Sequence, residues 1–244
     1  VTGDASLGGN VTATTIDLDD SNGVVITGDV ELAAGTIDIA SGVSGGFTLT
    51  LDGMSSVNVE GEVSTENLTT EKAATIGTVN IAGNLVVSGG QLTVDAGGVT
   101  VGGTSSLGAN IQSTGNTQTY TGAATLTADV TLTGTTVNFQ NTVDGTTAGM
   151  EGLTITGDAD LDGIVGGTQS LKALSVSGTT ALGANVTATT IDLDDGNSAG
   201  TILTGNVELN ATDIDVEGDV SGNFRLTLDG MGSVNVEGEV STEN

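Results

Sequence analysis

Apolar and polar positions alternate along this chain in very short runs. Triplets with an apolar residue at each end and a polar one between recur as Ile16-Asp17-Leu18, Ile37-Asp38-Ile39, Val57-Asn58-Val59, Val79-Asn80-Ile81 and Val99-Thr100-Val101. Their starts lie 21, 20, 22 and 20 residues apart. Other triplets, such as Val30-Glu31-Leu32, Leu49-Thr50-Leu51 and Leu92-Thr93-Val94, fall between them, separated by Gly, Asn, Asp and Ser. A period of two is the strand period, with the flanking residues on one side and the centre on the other. The apolar residues are mostly Val, Ile, Leu and Ala mixed with Thr, which is strand material with almost no helical spacing. Such short strands do not suit a sandwich, whose strands usually run about 5–6 residues or more. The pattern predicts an all-β fold, a parallel β-helix (β-solenoid) with coils of about 20 residues. At ~4.8 Å per coil the chain would form about a dozen coils and a rod of roughly 60 Å. Ile16, Ile37, Val57, Val79 and Val99 are expected to stack in one inward column.

Longer repeats overlie this short period. Asn10 through Asp20 recurs without change as Asn185 through Asp195, an offset of 175, and Ser56 through Asn67 recurs as Ser233 through Asn244, an offset of 177. Residues 10–67 thus recur as 185–244, a long unit of about 176 residues. The two extra residues fall in the loop, Ser21-Asn22-Gly23 against Gly196-Asn197-Ser198-Ala199-Gly200. A weaker sub-repeat lies near 106–145, where Ser106 to Ile111 resembles Ala181 to Val186 and Leu126 to Leu132 resembles Leu203 to Leu209. Residues 1–244 read as one continuous β-solenoid, a window of a longer repetitive polypeptide that starts and stops within the pattern without polar caps. Unpaired strand edges at such ends predict end-to-end or lateral self-association into fibres.

Composition narrows the function. The chain has 31 acidic and 3 basic residues, a net charge of −28, and neither His nor Cys. Three cations cannot make a phosphate-binding surface, which excludes a nucleic-acid partner. An anionic membrane would repel the chain, and no apolar run reaches the length of a span, so no membrane insertion is expected. Without His or Cys there is no imidazole, zinc-finger or thiol chemistry, and no cofactor is required. Disorder is excluded by an apolar content of 36%. Pro would remove ladder donors and is absent, aromatic residues are 2%, as a narrow core demands, and the 40 Gly are expected to supply positive-φ corners.

Three runs carry a family resemblance: Leu171-Lys172-Ala173-Leu174-Ser175-Val176-Ser177-Gly178, Thr121-Gly122-Ala123-Ala124-Thr125-Leu126-Thr127-Ala128-Asp129-Val130-Thr131-Leu132, and Val137-Asn138-Phe139-Gln140-Asn141-Thr142-Val143-Asp144-Gly145. In style they resemble bacterial filamentous-haemagglutinin-type repeat proteins. The resemblance implies a large secreted adhesin with a β-helical stalk.

The outward positions hold the candidate chemistry. In the expected register the triplet centres read Asp17, Asp38, Asn58, Asn80 and Thr100, and in the second long unit Asp192, Asp215 and Asn235. Carboxylates on adjacent coils repel by roughly 1 kcal/mol even in water. Asp19, Asp20, Asp194 and Asp195 add to the crowding. The row is expected to be a solvated acidic face, with Ca²⁺ bridging at Asp17, Asp38, Asp192 and Asp215 as the alternative. Asp158-Ala159-Asp160-Leu161-Asp162-Gly163 copies the first half of an EF-hand loop, but Gln169 occupies the position of the bidentate Glu. Its alignment with Asp4-Ala5-Ser6-Leu7 predicts a strand instead. Glycosylation sequons start at Asn10, Asn67, Asn185 and Asn210.

These acids recur with the period, whereas a catalytic pair occurs once in a fold, so no enzyme is expected; a polysaccharide-acting enzyme is the remote alternative. The expected function is a structural stalk or filament at the cell surface or in the extracellular matrix. The alternative is an adhesin that binds carbohydrate, such as surface glycans, or a host protein.

Overall fold

The computed structural model describes residues 5–19, 22–193 and 200–242. Asp20, Asp194 and Asp195 of the acidic clusters, Asp4, and most of the loop 196–200 lie outside the described residues. The described chain is all-β and winds into a β-solenoid of about 12 turns, each of about 19 residues. Its 26 strands form one continuous system of pairings, and every strand pairing is parallel.

Each coil has three faces, well seen in Val24–Ile26, Val30–Leu32 and Ile37–Ile39, whose flanking residues are all buried. On the first face Val63, Val79, Val99 and Gln118 follow one another in register. On the second the order is Leu68, Leu85, Ser105, Ala124 and Val143. The third carries Ile16, Ile37 and Val57. The flankers fill the axis while the centres stay outside, as the strand period dictates. Corners do not always break the ladder. Val30–Ile39 bends once as a single strand, and Val43–Thr70 runs on for 28 residues, so the elements are often longer than the expected triplets.

The single five-residue column of the sequence reading divides in two. All five side chains are buried, but Ile16, Ile37 and Val57 stack on the third face while Val79 and Val99 stack on the first. The reason is a short coil: Val63 pairs with Val79, an offset of 16, and Leu68 with Leu85, an offset of 17. The spacing of 22 from Val57 to Val79 therefore steps onto a new face. Position 57 is followed on its own face by the strand Ala74–Ile81, with Asn58 opposite Thr75. Asn80 and Thr100 leave the expected acidic row with it.

Glycine supplies positive-φ positions as expected and has a second role besides. Among the described residues nine glycines have positive φ, Gly23 and Gly149 included. Many others sit where consecutive coils nearly touch. A Cβ on Gly103 would lie 2.5 Å from the Gly83 carbonyl oxygen, and one on Gly122 would strike the carbonyl oxygen of Gly103. Gly83, Gly103 and Gly122 thus form a column with no room for a side chain, which is a demand of stacking rather than of φ.

The core does accommodate rings where they stack on each other. Tyr120 and Phe139 pair in register, are fully buried, and have ring centroids 4.8 Å apart. The Tyr120 hydroxyl donates to Gln118 Oε1 at 2.7 Å, and Gln118 Nε2 donates to the carbonyl of Thr133 at 2.9 Å. Burial pushes the Tyr120 phenol well above its ordinary pKa.

Replacing Val57 with Asp would place a charge among apolar residues and should cost on the order of 4 kcal/mol. Thr100→Asp, at an exposed triplet centre, should cost no more than about 0.5 kcal/mol. Urea unfolding of the two variants checks this; equal losses would contradict the inward and outward assignment.

Candidate functional site

Outward centres on the third face form an unbroken row. In register it runs Asp17, Asp38, Asn58, Thr75, Thr93, Gln112, Thr133 and Thr156. A second row on the same face runs Thr131, Thr154, Ser175, Asp192, Asp215 and Asn235. The structure therefore brings Asp17 beside Asp38 and Asp192 beside Asp215, as expected. It does not make the two pairs collinear, because their rows pass through Thr133 and Thr131, two residues apart on one strand.

Each pair ends on an amide donor. Asn58 Nδ2 donates to Asp38 Oδ1 at 3.0 Å, and Asn235 Nδ2 donates to Asp215 Oδ1 at 2.9 Å. The order Asp, Asp, Asn places a neutral donor where a third carboxylate would add repulsion. Asp17 and Asp38 are exposed and Asp192 and Asp215 half-buried, so solvent reaches these carboxylates. Among the described residues, no cluster of three or more His, Cys, Asp or Glu is placed to hold a metal.

A second set of acceptors staples the corners. Asp29 Oδ1 accepts the N–H of Thr48, Asn67 Oδ1 that of Asn84, and Asn84 Oδ1 that of Thr104. Asn67 Nδ2 in turn donates to Thr48 Oγ1, so one corner is bonded through five coils in succession. The same bond joins Asn10 to Glu31, Asn110 to Thr131, Asn185 to Glu208 and Asn206 to Arg225. Each acceptor directly precedes an apolar strand residue, as in Asn10-Val11, Asp29-Val30, Asn67-Leu68 and Asn84-Leu85. That signal was visible in the sequence, but the periodicity alone assigned these residues only to turns. Three sequon residues, Asn10, Asn67 and Asn185, are such staples, whereas Asn210 lies within the strand Val207–Ala211.

Asp129 belongs to this set and gains a cation. It accepts the N–H of Gly152 and pairs with Lys172 Nζ at 2.6 Å, linking coils 43 residues apart. The Lys172 hydrogen bond, then the Gly152 N–H, hold its carboxyl below the usual range. Beside it the loop 146–151 closes on Glu151, which accepts from Thr146 Oγ1 at 2.5 Å and from the N–H of Thr147 at 3.1 Å. These bonds, Thr146 foremost, lower its pKa.

The EF-hand-like segment is a strand. Asp158 to Leu161 ends Gly152–Leu161, with Ala159 and Leu161 buried and the acids outward. Asp158 staples the N–H of Thr179, and Asp160 accepts from Asn138 Nδ2. Partial burial, with the Asp162 charge adding to it, raises the pKa of Asp160.

Comparison with protein-family models, with curated proteins and with solved structures returned no match.

Two tests address the electrostatics. The lowered pKa values of Asp129 and Glu151 mean stabilisation present above the ordinary carboxylate range and lost as pH falls through their folded values. Asp160, with its raised pKa, acts in the opposite sense. Glu151→Gln should therefore flatten the acid loss of stability, read as unfolding temperature against pH; a profile identical to that of the parent would count against the role of Glu151. For the Asp pairs, chelation should lower the unfolding temperature no more than an ionic-strength-matched control. A far larger fall under chelator would assign Ca²⁺ to Asp17–Asp38 and Asp192–Asp215.

Proposed function

We propose that this chain is structural, a length-giving segment of a β-helical stalk or filament of the filamentous-haemagglutinin type. Its place is the cell surface or the extracellular matrix, and it has no catalytic role. The observation that carries the reading is the ladder itself. Following the pairings from Asp17 to Asp192 crosses nine coil steps, so one long repeat corresponds to about 43 Å of rod at ~4.8 Å per step. Both copies of the repeat then place the same Asp, Asp, Asn order on the same face. Such a chain makes length in proportion to residues, a property suited to a spacer. Strand edges that pair from coil to coil can also pair between subunits, and end-to-end or lateral self-association into fibres belongs to the same proposal.

The repulsion along the rod supports an exterior setting. A net charge of −28 over roughly 60 Å is about one charge per 2 Å, close to the ~1.7 Å of duplex DNA. Salt screens such a surface, and at low ionic strength the unscreened charge keeps neighbouring rods apart.

Inserting one further copy of the long repeat should lengthen the particle by about 43 Å, measured by small-angle scattering or electron microscopy. A glycan array probed with the parent chain should show no saturable binding. An added copy that leaves the length unchanged would remove the spacer reading, and saturable binding of one glycan class would replace it with an adhesin.

A further inference from the structure

We propose that Met54, Met150 and Met231 are the peroxide-reactive sites of this chain, and that their conversion to methionine sulfoxide leaves the solenoid intact. The chain contains three methionines, and all of them point into solvent, with exposures of 76%, 63% and 81%. The other readily oxidised side chains are absent or sealed. There is no Cys, Trp or His, and the one Tyr, Tyr120, is fully buried.

The outward placement follows from the corners. In Leu51-Asp52-Gly53-Met54 the alternation of the strand puts Leu51 and Gly53 inside and Asp52 and Met54 outside. A Cβ on Gly53 would collide with Val57 Cγ2, so the inward place before the methionine admits only glycine. The copy Leu228-Asp229-Gly230-Met231 repeats this, with Val234 Cγ2 against Gly230. Met150 reaches the same corner, between the second and third faces, by another route. Gly149 turns with φ +74°, the N–H of Met150 donates to the carbonyl of Thr147, and the neighbouring Glu151 takes the inward place. Methionine is flexible and apolar and fills core gaps readily, yet here every copy lies outside the core.

The reaction is a two-electron transfer from sulfur to a hydroperoxide. The thioether lone pair attacks one peroxide oxygen, the O–O bond breaks, and the S–O bond forms. The departing oxygen takes up the proton and leaves as water or an alcohol, while the sulfur is oxidised and the peroxide reduced. Sulfoxide damages proteins by placing a polar group in a core or an apolar interface. At these three corners the new oxygen meets solvent, and no inward column changes composition.

The test treats the folded protein with excess hydrogen peroxide and follows intact mass, peptide maps and thermal unfolding. The expected result is three added oxygens per chain, all on Met54, Met150 and Met231, at rates within about threefold of methionine in a short peptide. The unfolding temperature should not change. The triple variant Met54→Leu, Met150→Leu, Met231→Leu should gain no oxygen. A Leu126→Met variant, oxidised while unfolded and then refolded, should lose stability, whereas the parent given the same treatment should not. Fewer than three oxygens in the folded parent, oxygen gained by the triple variant, or a fall in the parent's unfolding temperature would each overturn the proposal.

Discussion

The inter-coil ladder sets the terms for every other feature of this molecule. Parallel pairing at ~4.8 Å forces each position to meet its counterpart one coil away, at a distance where like side chains are in contact. Chemistry must therefore be compatible with itself in a column. Apolar columns meet this easily, and Ile37 on Ile16 or Leu85 on Leu68 needs only similar volume. Tyr120 on Phe139 meets it by stacking, with a centroid distance of 4.8 Å that matches the coil rise. Gly122 on Gly103 meets it by having no side chain at all.

Charge is the case that the ladder makes hardest, and the chain divides its acids between two solutions. Corner acids such as Asp29 and Asp158 turn a carboxylate oxygen onto the backbone N–H of the next coil, so the negative group is bonded to the ladder it stabilises. Asn10, Asn67 and Asn185 also stand at corners, and their amide oxygens do the same work without charge. On the third face, Asp38 and Asp215 accept from the side-chain amides of Asn58 and Asn235 instead. Acidity is thus partly a property of the corners, where any side chain with an acceptor oxygen at the Asx position would serve. The polyanionic character of the rod comes from its 31 acidic residues, Glu as well as Asp, against 3 basic ones.

The architecture was legible in the sequence because its rules are local: triplet alternation gave the faces, and the spacing near 20 gave the coil. What escaped was the count of faces. A triplet on the first face looks the same as one on the third, so the step of 22 from Val57 to Val79 resembled one coil when it was one short coil plus a change of face. The Asx staples escaped for a different reason. Their partner is a backbone N–H some 20 residues away, and residue identity does not announce a backbone donor, although the placement of Asn or Asp just before an apolar residue marked each one. Adjacency within the pairs Asp17–Asp38 and Asp192–Asp215 could be read, because each pair falls within one regular coil step. The displacement between the pairs could not be read, because it accumulates over coils of unequal length.

That displacement bears on what the repeat preserves. If the face functioned as one straight line of carboxylates, the two Asp pairs would need the same column, and a two-residue slip would destroy the line. Instead the row of Asp17 passes to Thr133 and the row of Asp192 starts from Thr131, while each keeps its own Asp, Asp, Asn order intact. The unit that recurs is therefore three coils deep: two repelling carboxylates and the amide that ends them. Between such units Thr, Ser and Gln occupy the row, and they tolerate a shift because their hydroxyls and amides can donate as well as accept. Local satisfaction with slack between the sites lets coils of 16 to 23 residues follow one another without a break in the ladder. A rod built this way can be lengthened by repetition without a requirement that distant coils stay in line.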